Sequence, residues 1–296
     1  MNICDKRNIN IGTSDCDWGL KVLSHIIPVP SLDVKISVQD QKRIFDYVRE
    51  KSLHVDPLQR FYPIAARIEE VDDESTEAVV GSLNGGYEEE LLEGRFKYRI
   101  KWPSRVFRDR ILMKYRNFTG GAYFINSENI FLGMRNQDGT LSPRAITIRT
   151  DGGGLSSSGG DVKTFDWIID LGFKSEFING VTGIRLRPTD RISDLRGFRD
   201  LEILVLSVAS GVANVQLVTG GDNYNVYNTY KTQFSDAANW RVNDQEATSV
   251  TADDDTESFK VSIGTGMSEI NIAPVDILKT AGVIGFEGVS VVVTSE

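Results

Sequence analysis

Apolar and charged residues alternate along several segments of this chain. The segment Ala66–Val71 reads Ala-Arg-Ile-Glu-Glu-Val, and Arg95–Trp102 and Val162–Gly172 continue the same alternation. Successive side chains of a β-strand point to opposite faces, so a period of two predicts strands with one buried and one solvated face. Sheets of this kind are typically antiparallel. The alternation therefore predicts a mainly β fold.

Further strand patterns extend to the carboxyl end of the chain. They are short runs of strand-forming residues separated by Gly, Asn and Asp, as in a small β-sandwich. The runs are Gly120–Asn126, Asn129–Met134, Ala145–Thr150, Leu201–Val208, Asn214–Val218, Trp240–Val242, Ser258–Ile263 and Val289–Thr294. Asp138-Gly139 is the strongest hairpin signal, because this dipeptide adopts the positive φ angles of tight turns.

Two segments have the period of an α-helix. Ser37–Lys51 places Ile44, Phe45 and Val48 on one face, and a helix over Ser104–Arg116 has an apolar stripe at four-residue spacing. The other faces of the second helix are strongly basic. Such a helix is typical of a solvated surface; contact with nucleic acid or with acidic residues of a neighbouring subunit are the alternatives.

A charged, turn-rich stretch at Thr189–Gly197 interrupts the strand pattern. Domain boundaries fall in such segments, and 296 residues suffice for two average domains or one large β domain. We predict a mainly β (α+β) chain of two domains. Residues 1–195 form a β-sandwich or barrel with an N-terminal arm and flanking helices. Residues 196–296 form an immunoglobulin-like β-sandwich.

The chain carries 42 acidic and 33 basic residues, a formal net charge of −9. This balance argues against a dedicated duplex-binding surface, which needs Lys and Arg to displace phosphate counterions. The acidic residues of residues 69–77 and 88–93 concentrate negative charge in one part of the sequence. Solvated loops are the plain interpretation of these tracts, and a functional negative surface is the alternative.

No motif in the sequence carries catalytic, metal or cofactor chemistry. His25 and His54 are the only histidines, and no G-x-S-x-G motif is present. Asp72–Glu74 and Asp253–Asp255 lack the spacing of a calcium loop. The glycine-rich Asp151–Gly160 lacks the Gly-Lys-Ser/Thr ending of a phosphate loop. We therefore predict a protein that is not an enzyme and binds no metal or cofactor.

Cys4 and Cys16 are the only cysteines, and this pattern is typical of free thiols. The first residues lack the apolar region of a signal peptide, and no stretch approaches the roughly 18 apolar residues of a membrane helix. The sequence predicts a soluble protein made in a cytoplasm, without membrane contact.

The predicted Ser104–Arg116 helix is followed by Gly121–Gly133 and by Asp138-Gly139. This order of helix, strand, turn, second strand ending in Leu-Gly, and Asp-Gly hairpin resembles the tail-tube-like virion proteins of tailed bacteriophages, especially those of phages of Bacteroidota. Other segments are similar to parts of the same proteins: Asn10–Cys16, Ile26–Pro30 and Ala281–Gly288. The resemblance extends over most of the chain as an order of elements carried by short motifs.

The resemblance implies a protomer that assembles into rings, commonly hexameric, which stack into a conduit for the genome. We therefore expect a tail tube subunit in the virion tail, assembled in the cytoplasm of a bacterial host. Its expected partners are further copies of itself, other tail or head-tail proteins, and DNA that passes without specific binding. A tail terminator, a capsid-associated ring and a decoration protein remain alternatives.

Rings of this kind close when a hairpin and a terminal arm add strands to a neighbouring subunit. The candidate interface residues lie in the glycine-rich loop and on the basic helix: Asp151, Gly152, Gly153, Gly154, Leu155, Gly159, Gly160, Arg105, Arg108 and Arg110. The acidic tracts are candidates for a negative lumen along which DNA slides: Glu69, Glu70, Asp72, Asp73, Glu88, Glu89 and Glu90.

A second hypothesis starts from the aromatic residues Tyr224, Tyr227, Tyr230 and Trp240. Tyrosines interspersed with asparagines are typical of surfaces that bind sugars or proteins. The chain would then be a carbohydrate- or receptor-binding β-sandwich or a decoration protein of a virion. The plain alternative is that these side chains cap the core of the sandwich. A hydrolase with a scattered site is a third hypothesis.

Overall fold

The computed structural model describes residues 23–37, 44–83, 87–103, 112–150, 164–173, 180–195, 197–220 and 222–295, with the side chains of 81–83, 87–91 and 193 outside the description. The chain divides into two compact units, Met1–Arg196 and Gly197–Glu296. We call them the amino-terminal unit and the carboxy-terminal unit. The division lies one residue beyond the boundary expected from the sequence.

Twelve strands are described in the amino-terminal unit, and ten of them form one antiparallel sheet. The strands are β1 (Leu23–Val29), β2 (Ile36–Ser37), β3 (Glu70–Asp73), β4 (Val79–Leu83), β5 (Tyr87–Leu92), β6 (Arg95–Pro103), β7 (Thr119–Asn126), β8 (Ile130–Arg135), β9 (Thr140–Ser142), β10 (Arg144–Thr150), β11 (Thr164–Phe173) and β12 (Val181–Arg185). The sheet order is β2-β9-β8-β7-β10-β11-β6-β3, with β1 on β7 and β12 on β8.

Strand β7 is the centre of this unit. It pairs with β10 through Thr119–Ala122 and with β8 through Phe124 and Ile125, while β1 pairs with it from Gly121 to Asn126. All residues from Gly121 to Asn126 are buried. A strand that is covered on both faces loses the alternation of apolar and polar residues, which is why this segment reads as a continuous apolar run.

Two clusters of apolar side chains cover the two faces of the sheet. One contains Trp102 and Trp167, whose rings pack with centroids 4.9 Å apart. The other contains Tyr123 and the helix α1 (Ile44–Ser52). Helix α1 buries Ile44, Phe45 and Val48, so the apolar face predicted for it is confirmed. A 3-10 turn over Pro57–Gln59 follows.

Strand β1 pairs with β7 alone among the described strands, and an edge position of this kind tolerates its proline, Pro28. Its outer edge is covered by a loop. The amides of Tyr62, Ile64 and Ile68 donate to the carbonyls of Pro28, Ile26 and Ser24 at 3.0, 3.1 and 2.8 Å. The carbonyls of Pro28, Ile26 and Ser24 on this edge are therefore satisfied within the unit.

The predicted Asp138-Gly139 hairpin is also confirmed. It joins β8 and β9, and the Gly139 amide donates to the Asn136 carbonyl at 3.1 Å. Gly139 has a φ of +81°, a conformation that side chains of L-residues disfavour.

The carboxy-terminal unit is built from two sheets around one core. Its elements are β13 (Arg199–Ala209), β14 (Val212–Thr219), α2 (Tyr227–Phe234), β15 (Trp240–Val242), β16 (Gln245–Glu246), β17 (Val250–Asp253), β18 (Ser258–Ser262), β19 (Gly266–Ile272), α3 (Val275–Thr280), β20 (Phe286–Gly288) and β21 (Val291–Ser295). The sheet orders are β17-β18-β14-β13-β20 and β16-β15-β19-β21, and β13 and β20 are parallel. The mainly β class predicted from the sequence is confirmed; the tail-tube-like and immunoglobulin-like descriptions stay predictions.

Helix α2 contains Tyr227 and Tyr230, two members of the aromatic group. The side-chain oxygen of Asn225 accepts from the Tyr227 amide at 2.9 Å and so satisfies one of the free donors at the helix start. Tyr227 and Phe234 lie on either side of a kink at Tyr230, and both are buried in the core. The burial of these two rings stabilises a helix that local propensity does not indicate.

Candidate assembly surfaces

The two units carry very different charge. Residues 197–296 contain 14 acidic and 5 basic residues, whereas residues 1–196 contain 28 of each. The formal net charge of −9 therefore belongs to the carboxy-terminal unit. The acidic tracts between residues 69 and 93, which were expected to concentrate the negative charge, lie in the amino-terminal unit. In that unit the acidic and basic residues are equal in number.

Strands β3 to β6 form one long hairpin. Glu70 of β3 lies opposite Lys101 of β6, and Val79 of β4 lies opposite Leu92 of β5. Between these two ladders, the amides of Glu74 and Thr76 donate to the carbonyls of Lys97 and Arg95 at 2.8 and 3.0 Å. We call residues 70–101 the hairpin arm.

Acidic and basic side chains pair at the base of the hairpin arm. The Lys101 Nζ atom lies 3.0 Å from Glu70 Oε2 and 2.7 Å from Asp72 Oδ2. These hydrogen bonds, with that to Asp72 the stronger, raise the pKa of Lys101. The Arg99 Nε atom lies 2.6 Å from Glu74 Oε1. The cations alternate along β6 and face carboxylates on the neighbouring strand.

The opposite neighbour of β6 extends this set of ion pairs. Arg99 also approaches Asp166 of β11 at 3.5 Å, and Arg95 lies 3.0 Å from Asp170. The ion pair and backbone hydrogen bond of Asp170 outweigh its burial and lower the pKa of its carboxyl. We call these cross-strand pairs the ion-pair ladder. It sets three cations against five carboxylates, so it offsets part of the negative charge on this face of the sheet.

The ion-pair ladder changes the interpretation of the predicted lumen residues. Glu70 and Asp72 share the single cation of Lys101, so the pairing offsets only part of their negative charge. Glu69 is exposed, and the Asp73 carboxylate accepts from the Ser75 amide at 2.9 Å. Glu88, Glu89 and Glu90 lie in β5, and their side chains are outside the described residues.

The distal half of the hairpin arm has a different character. Strands β4 and β5 pair with each other and with no other described strand. Val79, Val80 and Leu92 are 50%, 53% and 65% exposed. Successive strand residues point to opposite faces, so Val79 and Val80 expose apolar surface on both sides of the arm. An isolated two-stranded hairpin is marginally stable in water, and exposed apolar residues on it indicate a contact surface.

All interface residues expected from the sequence lie outside the described residues. These are Asp151, Gly152, Gly153, Gly154, Leu155, Gly159 and Gly160 in the glycine-rich segment and Arg105, Arg108 and Arg110 in the predicted basic helix. The strands that flank the loop are described. Thr150 of β10 lies opposite Trp167 of β11 in an antiparallel ladder, so residues 151–163 join two paired strands, as the sequence predicted.

The aromatic residues of the ligand-binding hypothesis do not share a surface. Trp240 is fully buried, and its indole Nε1 donates to the Phe234 carbonyl at 2.8 Å. Tyr227 is also buried, and its hydroxyl donates to Asp254 at 2.8 Å. Burial and the Asp254 carboxylate raise the pKa of Tyr227 to about 12.

The two remaining tyrosines of this group differ from each other. Tyr230 is half-buried against Phe286, with ring centroids 5.6 Å apart, and only Tyr224 is exposed. The prediction of an aromatic binding surface is therefore wrong for Tyr227 and Trp240. The core of the sandwich takes up these rings because each buries a large apolar area there.

Both histidines make hydrogen-bond contacts with residues close to them in the sequence. His25 lies in β1 with its Nδ1 atom 3.0 Å from the Ser24 hydroxyl. Burial, and secondarily Arg67, lower the pKa of His25 to about 4. The His54 Nδ1 atom accepts from the Asp56 amide at 3.1 Å. Cys4 and Cys16 lie outside the described residues.

The described residues contain no group of three or more His, Cys, Asp or Glu side chains placed to hold a metal ion. None of the helices described is both long and apolar enough to cross a membrane.

No known family model matches the chain, and no curated protein matches its sequence.

Proposed function

We propose that this protein is a structural subunit of a phage virion, of the tail tube type, that assembles with further copies of itself into stacked rings around a passage for DNA. The hairpin arm is the element that binds the neighbouring copy. The observation that carries this proposal is the distal half of the arm, where β4 and β5 pair with no other described strand and expose Val79, Val80 and Leu92. The resemblance of the element order to tail-tube-like proteins supports the same proposal.

The base and the distal half of the arm have complementary properties for such a contact. The base is held by the ion-pair ladder and by Trp102 of β6, whose indole Nε1 donates to the Ala66 carbonyl at 3.2 Å. The direction of the arm is thereby set before it meets a partner, which lowers the entropic cost of association. Covering the exposed parts of Val79, Val80 and Leu92 would contribute about 1 kcal/mol for each residue.

The net charge of each unit favours a surface along which DNA passes rather than a surface that binds DNA. The amino-terminal unit is balanced and the carboxy-terminal unit has a formal net charge of −9. A net positive surface is what releases counterions from a duplex, and neither unit carries a net positive charge. We expect weak, non-specific DNA affinity at physiological salt.

The test is negative-stain electron microscopy with light scattering over a concentration series. It compares the wild-type chain with a Val79→Lys/Val80→Lys variant, which places two charges on the arm. The control is Leu58→Lys, since Leu58 lies in the 3-10 turn of the same unit and is as exposed as Leu92. Circular dichroism checks that all three chains are folded.

Rings or tubes of uniform diameter are expected from the wild type and from Leu58→Lys, and smaller species from the arm variant. Normal rings from the arm variant would contradict the role of the arm. A wild-type chain that forms neither rings nor tubes at any concentration would contradict the tail tube proposal itself. Single rings that never stack would favour a terminator over a tube.

A further inference from the structure

Strand β13 has an edge that is paired over only part of its length. One side of the strand pairs with β14 from Leu201 to Ala209, but the other side pairs with β20 only from Arg199 to Leu201. The Val289 amide then donates to the Leu201 carbonyl at 2.9 Å, and the chain continues as β21 in the other sheet. From Ile203 to Ala209 no described strand pairs with this side. We call this segment the open edge.

The hydrogen-bonding groups of the open edge follow from the pairing before it. The Arg199 amide donates to the Gly285 carbonyl at 2.9 Å, and the Leu201 carbonyl accepts from Val289, so these residues turn their backbone groups toward the β20 side. Backbone direction alternates along a strand. The amides and carbonyls of Ile203 and Val205 therefore point to the side on which no described strand pairs with β13.

The side chains of the open edge are apolar on both faces. Leu204, Val205 and Leu206 are 43%, 37% and 47% exposed. Regular alternation would not leave three successive residues exposed, but a β-bulge between Val205 and Ser207 adds Leu206 to the strand. A strand added at this edge thus meets apolar side chains above and below its own backbone.

Charge is absent along the same stretch. No Asp, Glu, Lys or Arg occurs between Glu202 and Asp222, although a quarter of the chain is charged. Exposed edges usually carry charges that prevent pairing with another chain, and here a bulge is the one such device. The unit has a formal net charge of −9. Two copies that met at the open edge would not bring like charges of this segment against each other.

We propose that the open edge binds the open edge of a second copy of this chain, in an antiparallel pairing about a two-fold axis that continues the sheet across both copies. The pairing is isologous, because the same residues face each other from both sides. The occupant has to be an extended segment that is uncharged and apolar on both faces, and residues 203–209 meet this requirement themselves. The inference is independent of the hairpin arm and concerns the other unit.

The test uses the full-length chain with the Val79→Lys/Val80→Lys background, which removes the proposed ring contact. Analytical ultracentrifugation over a concentration series in 0.15 M and 0.5 M salt is expected to show a dimer of twice the 32.9 kDa chain. The dimer should gain at least twofold in affinity at the higher salt, because screening weakens the repulsion between two acidic units.

Leu204→Lys/Leu206→Lys added to this background is expected to weaken the dimer at least tenfold. The matched control is Met267→Lys in β19, because Met267 belongs to the other sheet and is more exposed than either leucine. Hydrogen exchange gives a second readout, in which the Ile203 and Val205 amides slow as the concentration rises.

A background variant that stays monomeric throughout, with rapid exchange at Val205, would overturn the proposal and leave the edge to a strand of another protein. Unchanged dimerisation of the Leu204→Lys/Leu206→Lys chain would overturn it as well. The two proposals fail separately. A wild-type chain that forms dimers but no rings would contradict the tail tube proposal and support the open-edge dimer.

Discussion

The amino-terminal and carboxy-terminal units of this chain differ in the balance of their charges and in how their strand edges are covered. The first contains 28 acidic and 28 basic residues, and charged residues at the base of the hairpin arm pair across neighbouring strands. In the second, 14 acidic residues face 5 basic ones, yet the open edge carries no charge at all. The net charge of the whole chain is therefore that of the second unit and does not describe the first. What a surface repels or binds depends on how charge is placed within each unit.

The apolar cores of the two units also differ in layout. The amino-terminal unit buries both faces of one large sheet, with a separate cluster on each face. The carboxy-terminal unit buries one cluster between two sheets. Each unit thus has its own core, and the comparison can be tested by damaging one core at a time.

The largest expected effect is that of Trp240→Ala. Trp240 is fully buried, packs on Phe234 and Phe259 and donates a buried hydrogen bond, so its loss is expected to cost the carboxy-terminal unit about 3–5 kcal/mol. Hydrogen exchange measures the two units separately. Protection should fall in β14 and β18 and persist in β6 and β11. Equal loss in both units would show that they unfold together.

Lowering the pH is expected to have a smaller effect, and to destabilise the amino-terminal unit before the carboxy-terminal unit. His25 has a pKa of about 4 in the folded protein and about 6.5 when unfolded, so the unfolded state binds a proton first as the pH falls. Stability from neutral His25 is complete above pH 6.5 and declines toward pH 4. The expected loss at pH 4.5 is about 2 kcal/mol, discounted for partial exposure.

Urea midpoints at pH 7.5 and 4.5, read by hydrogen exchange in each unit, measure this effect. The carboxy-terminal unit contains no histidine, and the pKa values of its paired Asp222, Asp253 and Asp254 are lowered, so their stabilisation is lost only below about pH 4. The midpoint of the amino-terminal unit should therefore decline first. A His25→Gln chain with the wild-type pH dependence would count against His25 as the cause.

The smallest expected effect concerns the ion-pair ladder. Lys101→Ala removes the partner of Glu70 and Asp72 and is expected to destabilise the amino-terminal unit by about 1 kcal/mol, less at high salt. Lys279→Ala on the exposed side of α3 is the matched control, with a change expected within about 0.5 kcal/mol. Urea titrations in 0.05 M and 0.5 M salt measure both. A loss that is insensitive to salt would mean that Lys101 acts through packing of its stem.

Much of the local structure followed from the order of the residues. The alternation over Arg95–Trp102 defined β6 and both of its faces, the spacing of Ile44, Phe45 and Val48 defined the buried face of α1, and Asp138-Gly139 defined a turn. These features depend on backbone conformation and on the side on which a residue is buried. Both are encoded within a few neighbouring residues. The mainly β class follows from them.

The tertiary structure decided which residues meet. Only the pairing of β3 with β6 shows that Glu70 and Asp72 share Lys101, and only the packing of α2 places Tyr227 and Trp240 in the core. The departure of the chain into β21 leaves the edge of β13 open, although the residues of β13 alone read as an ordinary buried strand. Exposure and charge pairing arise from contacts between segments far apart in the chain, so no local pattern contains them.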